Sequence, residues 1–156
     1  MREEPQTPFQ IVADPVLHAA CIALTRTYIE DRPVISSWNS LIDYCRVCLA
    51  YQPREQLHLL FLNRRNVLIA DETQQVGSID HTPIYPREVV KAALRHDASA
   101  VILVHNHPSG DFTPSRADIE MTKQVADALK TVGITLHDHL IVSAGGHTSF
   151  RTEGLM

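Results

Sequence analysis

The sequence predicts a mixed α/β domain, a mixed β-sheet with helices on both faces. Three observations predict it. Helix-like and strand-like segments alternate along the chain, the pattern of layered α/β folds. The run "ASAVILV" (98–104) is continuously apolar, as a central strand covered on both faces must be. The stretch "EQLHLLFLNRRNVLIADETQQVG", from Glu55, holds two extended apolar runs about a polar turn at Asn63–Asn66, which predicts an antiparallel hairpin.

The other elements follow in order. "ADPVLHAACIALTRTYIEDRP" predicts a helix from about Pro15 to Asp31: Asp14 can cap it, Pro15 suits its first position and Pro33 stops it. Leu17, Cys21, Leu24 and Tyr28 share one face of it. A second helix is expected over Trp38–Tyr51, capped by Ser36 or Ser37, burying Leu41, Ile42, Cys45 and Leu49 and ended by Pro53. Both helices are expected as short N-terminal elements ahead of the sheet. Residues 1–33 then form a tail with one helix, and 34–156 form the main domain. "YPREVVKAALRHD" predicts a helix with Pro86 in its first turn and Val89, Val90, Ala93 and Leu94 as apolar positions. "SRADIEMTKQVADALKTVG" predicts another, which Gly133 terminates in a left-handed cap. "ITLHDHLIV" is a strand, and Gly145–Gly146 turn it into a last strand near His147–Phe150.

Composition narrows the function classes. A chain of 156 residues with 44% apolar residues fits one globular domain. No apolar run reaches the roughly 18–20 residues of a membrane span. "MREEPQTPFQ" lacks the apolar core of a signal peptide, so a cytoplasmic protein is expected. Three cysteines are too few and too uneven for a disulfide framework and suit a reducing compartment. Formal net charge is −4 and the basic residues are scattered, which weighs against a nucleic-acid surface. Cys45 and Cys48 form a C-x-x-C, but no second pair completes a structural zinc site. Their helical spacing fits packing instead.

Chemistry concentrates in "HNHPSGDFTPSRAD". Residues two apart on a strand point the same way, so His105 and His107 converge at the end of the apolar strand. The loop that follows returns the start of the next helix over that end, with Asp118 in its first turn. Two imidazoles and a carboxylate are a common ligand set for catalytic zinc, with a fourth position left for water. One zinc ion per chain is expected. A plainer reading stands beside it: paired histidines satisfy hydrogen bonds at a strand end, and Ser115 and Asp118 have the spacing of a helix N-cap and its third residue.

The motif resembles the signature of JAB/MPN-type (JAMM) metallopeptidases: His-x-His, seven residues, Ser, two residues, Asp. "HNHPSG", "TPSRAD", "DHLIV" and "YPREVVKAAL" are similar, more closely, to the RadC family, over about Val34 to Phe150. The resemblance implies a JAB/MPN-like fold and a zinc peptidase or isopeptidase. It implies His105, His107 and Asp118 as metal ligands, Glu55 as the base that moves the water's proton, and Ser115 as an oxyanion donor that also caps its helix. The implied substrate is a peptide or protein, with a ubiquitin-like tail among the candidates. Glu72 and Glu88 are rivals for the base. Ser109 lies off the family's serine position and is read as loop structure.

A second pair, His137 and His139, has the same spacing but no acidic third ligand, because Asp138 faces the other way. A supporting part for His139 is expected rather than ligation. Three other functions compete with this one. A DNA-repair-associated protein without peptidase activity is suggested by the family's name. Longer members carry a helix-hairpin-helix ahead of this domain, for which this sequence has no room, so binding to nucleic acid on its own is not expected. A zinc deaminase needs H-x-E with P-C-x-x-C, and no H-x-E exists here. A metal-free scaffold conflicts with the intact ligand set.

Overall fold

The structure is a computed structural model, which describes Ala19, Ala20, Ala23 and residues 38–76 and 84–156. Those three alanines are helical, and the rest of the helix expected over Pro15–Asp31 lies outside the described residues, as do Ser36 and Ser37. The described elements are α1 (Trp38–Leu49), β1 (Gln56–Leu62), β2 (Leu68–Val76), α2 (Pro86–Arg95), β3 (Ala100–Asn106), α3 (Arg116–Thr131), β4 (Thr135–Ser143) and β5 (Gly146–Ser149). The strands form one five-stranded sheet in the order β2-β1-β3-β4-β5. β3 and β4 pair in parallel across the α3 crossover, and the other neighbours are antiparallel. The mixed α/β fold expected from the sequence is the fold observed.

The central strand explains the apolar run. β3 is buried along its whole length, because side chains alternate between two covered faces. Ala100, Ile102 and Val104 join Leu60, Leu62, Leu140 and Val142 against α1. Val101 and Leu103 join Leu57, Leu59 and Phe61 against Val89, Ala92 and Ala93 of α2 and Val125 and Leu129 of α3. The helix α1 is therefore one of the two covering layers, not an element set ahead of the sheet. Its stripe of Leu41, Ile42, Cys45 and Leu49 is buried as the spacing predicts, with Tyr44 and Cys48 added. Cys45 and Cys48 lie in this packed face, and burial pushes the Cys45 thiol well up.

The hairpin turn is held by Asn63, whose Oδ1 accepts from Arg65 N at 2.8 Å and Val67 N at 3.1 Å. Asn66 takes a positive φ of 59° in it. In α2 the buried positions are Val89, Ala92 and Ala93, an i, i+3, i+4 stripe; Leu94, expected inside, is 56% exposed. Gly133 follows α3 at φ 73°, the left-handed conformation that ends the helix. β3 runs two residues past the expected end at Val104, so His105 and Asn106 belong to the strand itself.

Candidate metal centre

Three side chains meet at the carboxyl end of β3. His105, on the α2/α3 face, is buried at 2%; His107 lies just beyond the strand and Asp118 in the first turn of α3. His105 Nε2 is 3.0 Å from His107 Nε2 and 3.6 Å from Asp118 Oδ1, and His107 Nε2 is 3.8 Å from Asp118 Oδ2. One ligand atom from each lies within 4.8 Å of the others, so this group could hold a metal ion. Among the described residues no other cluster of His, Cys, Asp and Glu does so, and Cys45 and Cys48 join none.

Each of the three side chains is placed by local sequence. His107 is tied to β4 by its N–H, which donates to Val142 O at 3.0 Å. Its Nδ1 lies 2.9 Å from the Asp111 carbonyl. A carbonyl only accepts, so Nδ1 carries a proton, and in the neutral ring Nε2 keeps its lone pair toward the centre. Gly110, at φ 88°, closes this turn, and its carbonyl accepts from Ser143 Oγ at 2.8 Å. Asp118 sits in a capping box: its Oδ2 accepts from Ser115 N at 2.8 Å and Ser115 Oγ at 2.6 Å, and its own N–H donates to Ser115 Oγ at 3.1 Å. The cap that starts the helix thus also aims the carboxylate. In this arrangement the Ser115 hydroxyl donates its hydrogen bond to Asp118.

Burial holds His105 neutral, with its pKa lowered from 6.5 to about 4; Asp118 opposes that shift and His107 adds to it. Burial first, then His105 and His107, push His139 down in the same direction. His139 is the near neighbour of His105, Nε2 to Nδ1 at 2.7 Å, and its Nδ1 is 2.6 Å from Thr122 Oγ1. The other half of the second histidine pair goes elsewhere. His137 Nε2 meets Asn66 Oδ1 at 3.1 Å, at the far end of β4.

Glu55 immediately precedes β1 and is half-buried. Leu57 lies opposite His105 in the antiparallel ladder, so Glu55 stands two residues before the position of β1 that faces His105. The rival acids are committed to other partners. Glu72 accepts from Arg95 at 2.6 Å and meets His96 Nε2 at 2.6 Å, and Glu88 pairs with Lys91 at 3.1 Å on the surface.

Two residues that sequence reasoning missed are Asn106 and Thr122. Asn106, the middle of the H-x-H, is fully buried on the opposite face. Its Oδ1 accepts from Gln56 N at 2.8 Å, and its Nδ2 donates to Arg54 O at 3.1 Å and Gln52 O at 3.4 Å. It therefore fixes the backbone on both sides of Glu55. The available signal was alternation: a polar residue between two converging histidines must point into the other covered face. Thr122 lies one turn beyond Asp118, and the signal for it was a hydroxyl within the buried stripe that runs on to Val125 and Leu129.

The family model for RadC-like JAB domains matches residues 35–155. A "UPF0758 protein" of Rhodobacter capsulatus is 56% identical over 141 residues, 90% of this chain. The match spans 66% of that relative's length.

Proposed function

This chain belongs to the RadC-like JAB domain family, and from that premise we propose that it is a zinc-dependent hydrolase of peptide or isopeptide bonds. One observation carries the metal. The Nε2 atoms of His105 and His107 and the Asp118 carboxylate are three electron-rich groups turned on one point, with the two Nε2 atoms 3.0 Å apart. With both rings neutral and protonated at Nδ1, lone pairs that close repel unless a cation lies between them. Two neutral imidazoles and one carboxylate are the donor set that suits zinc with an open position. In this reading His105, His107 and Asp118 hold one zinc ion per chain. The bound ion supplies Lewis acidity, lowering the pKa of water toward about 7 and polarising the scissile carbonyl.

The chain's own groups do the rest. Glu55, fixed through Asn106, takes the proton from the attacking water and delivers it to the leaving amine. Ser115 orients Asp118, and its hydroxyl turns to the developing oxyanion when substrate binds. His107 and Asp118 line the solvent side of the centre, and His105 lies on its buried side, so an extended peptide or protein tail reaches it from solvent. A ubiquitin-like tail fits that requirement. The functional unit is 34–156. The buried Cys45 and Cys48 thiols suit a reducing compartment, and we place the protein in the cytoplasm. No helix among the described residues is long and apolar enough to cross a membrane.

The test is hydrolysis of extended peptide and isopeptide-linked substrates by the zinc-loaded full chain. Cleavage that disappears in His105→Ala and in Glu55→Gln supports the reading. Zinc binding without cleavage of any such bond by the native chain counts against a hydrolase.

A further inference from the structure

The metal centre has a proton arrangement of its own, built from residues outside the ligand set. We propose that Thr122 and His139 are positioning residues that lock His105 in the tautomer a metal requires. This rests on the metal-centre reading above.

The direction of each hydrogen bond can be deduced. Thr122 Oγ1 lies 2.6 Å from the backbone carbonyl of Asp118. A carbonyl oxygen has no proton, so the single hydroxyl proton of Thr122 goes there. Thr122 Oγ1 is also 2.6 Å from His139 Nδ1. The hydroxyl has no second proton to give, so His139 Nδ1 donates. A neutral imidazole carries one N–H, which leaves His139 Nε2 with a lone pair. That atom is 2.7 Å from His105 Nδ1, so the proton between them belongs to His105. His105 Nε2 is then bare and faces His107 Nε2 and Asp118.

The relay therefore runs His105 Nδ1–H to His139 Nε2, His139 Nδ1–H to Thr122 Oγ1, and Thr122 O–H to the Asp118 carbonyl. It cannot run in reverse, because it ends on an obligate acceptor. It starts at one ligand and ends on the backbone of another, linking β3, β4 and α3. Thr122 and His139 are fully buried and His105 nearly so, which keeps water from supplying a substitute partner. Phe150 packs on the other side of His139, ring centroids 4.4 Å apart, and restricts its turning. His107 reaches the same tautomer separately, through Asp111.

The experiment uses the full chain labelled with ¹⁵N on histidine, metal-free and near neutral pH. Imidazole proton–nitrogen correlations identify the tautomer of each ring. The expected result is Nδ1–H on both His105 and His139. An Nε2–H form of either ring in the native chain overturns the proposal. Zinc affinity, read by competition with a chelator, tests the consequence. Thr122→Val keeps the shape and removes the acceptor for His139 Nδ1–H. Zinc affinity should fall by about 10–100-fold, the usual effect of losing a ligand's supporting partner. Thr122→Ser should restore both affinity and tautomer. Native zinc affinity in a folded Thr122→Val chain would contradict the proposal. If Thr122→Val does not fold, the tautomer pattern of the native chain decides. If the native chain binds no zinc, the metal reading fails, and the metal-free tautomers still decide the lock.

Discussion

Two strands of this protein carry the same three-residue pattern, His-x-His, and use it differently. At the end of β3, His105 and His107 converge, their Nε2 atoms 3.0 Å apart. On β4, His139 backs onto that centre and His137 turns away to Asn66. The difference lies in register. Val101 pairs with Leu136 and Ile102 with Asp138, so His137 is an extra residue in a bulge, and the alternation that should align it with His139 is broken there. The middle residues, by contrast, behave alike. Asn106 ties down the approach to β1, and Asp138 accepts from the Ser149 hydroxyl and from Arg151 N, tying β4 to the end of β5 and the segment after it. Spacing alone did not decide which pair forms a site. Strand continuity, and a helix N-terminus delivering an acid, did.

The comparison predicts unequal effects of equal substitutions. The largest is expected for the His105→Ala, His107→Ala double variant, which should lose its zinc altogether by elemental analysis. His137→Ala should keep the full complement. Zinc retained by the first variant would mean the two pairs had been assigned the wrong way round.

Next come the acids. Glu55→Gln should lower hydrolysis by about 10²–10⁴-fold while zinc stays bound, since it removes a proton carrier and no ligand. Asp118→Asn should lower rate and zinc occupancy together. Parallel assays of rate and metal content separate the two patterns. Full activity in Glu55→Gln would reassign the base.

The clamp on Glu55 comes third. Asn106→Ala leaves the Gln56 N–H and Arg54 carbonyl without their partner, which should cost about 1–3 kcal/mol in urea unfolding. Hydrolysis should fall further than zinc affinity, because the clamp holds the base and not the metal. Equal loss of both would make Asn106 a support of the whole strand end.

The smallest effect is on pH dependence. Burial holds the His105 pKa at about 4 in the folded chain, below the ordinary 6.5. Between those values the unfolded chain takes up a proton that the folded chain refuses, so acid favours unfolding. The metal-free protein should be most stable above about 6.5 and lose that contribution as pH falls toward about 4. His139 moves in the same direction. Urea unfolding across that range should show a shallower slope for His105→Gln. His137, less buried and shifted down mainly by that burial, should contribute less.

Much of this was legible in the sequence. The β3 run, the hairpin turn at Asn63, the cap at Ser115 and the grouping of His105, His107 and Asp118 follow from periodicity and local hydrogen-bonding chemistry. What was not legible depends on neighbours distant in the chain. The position of α1 as a covering layer follows from the two-sided burial of β3, which no single segment reveals. Leu94 is hydrophobic yet exposed, because the apolar stripe of α2 is set by the helices and strands it faces. Thr122 gains meaning only once β4 sets His139 beside it. The separation of His137 from His139 depends on one register shift between strands that sequence does not number.

The function proposed above has the metal held at the end of β3 and not by the cysteine pair of α1. X-ray absorption at the zinc edge of the zinc-loaded full chain tests it most directly. The expected spectrum is a shell of nitrogen and oxygen at about 2.0–2.1 Å with imidazole scattering from two histidines and no sulfur. A sulfur shell at about 2.3 Å would place the metal at Cys45 and Cys48 and contradict the assignment to His105, His107 and Asp118.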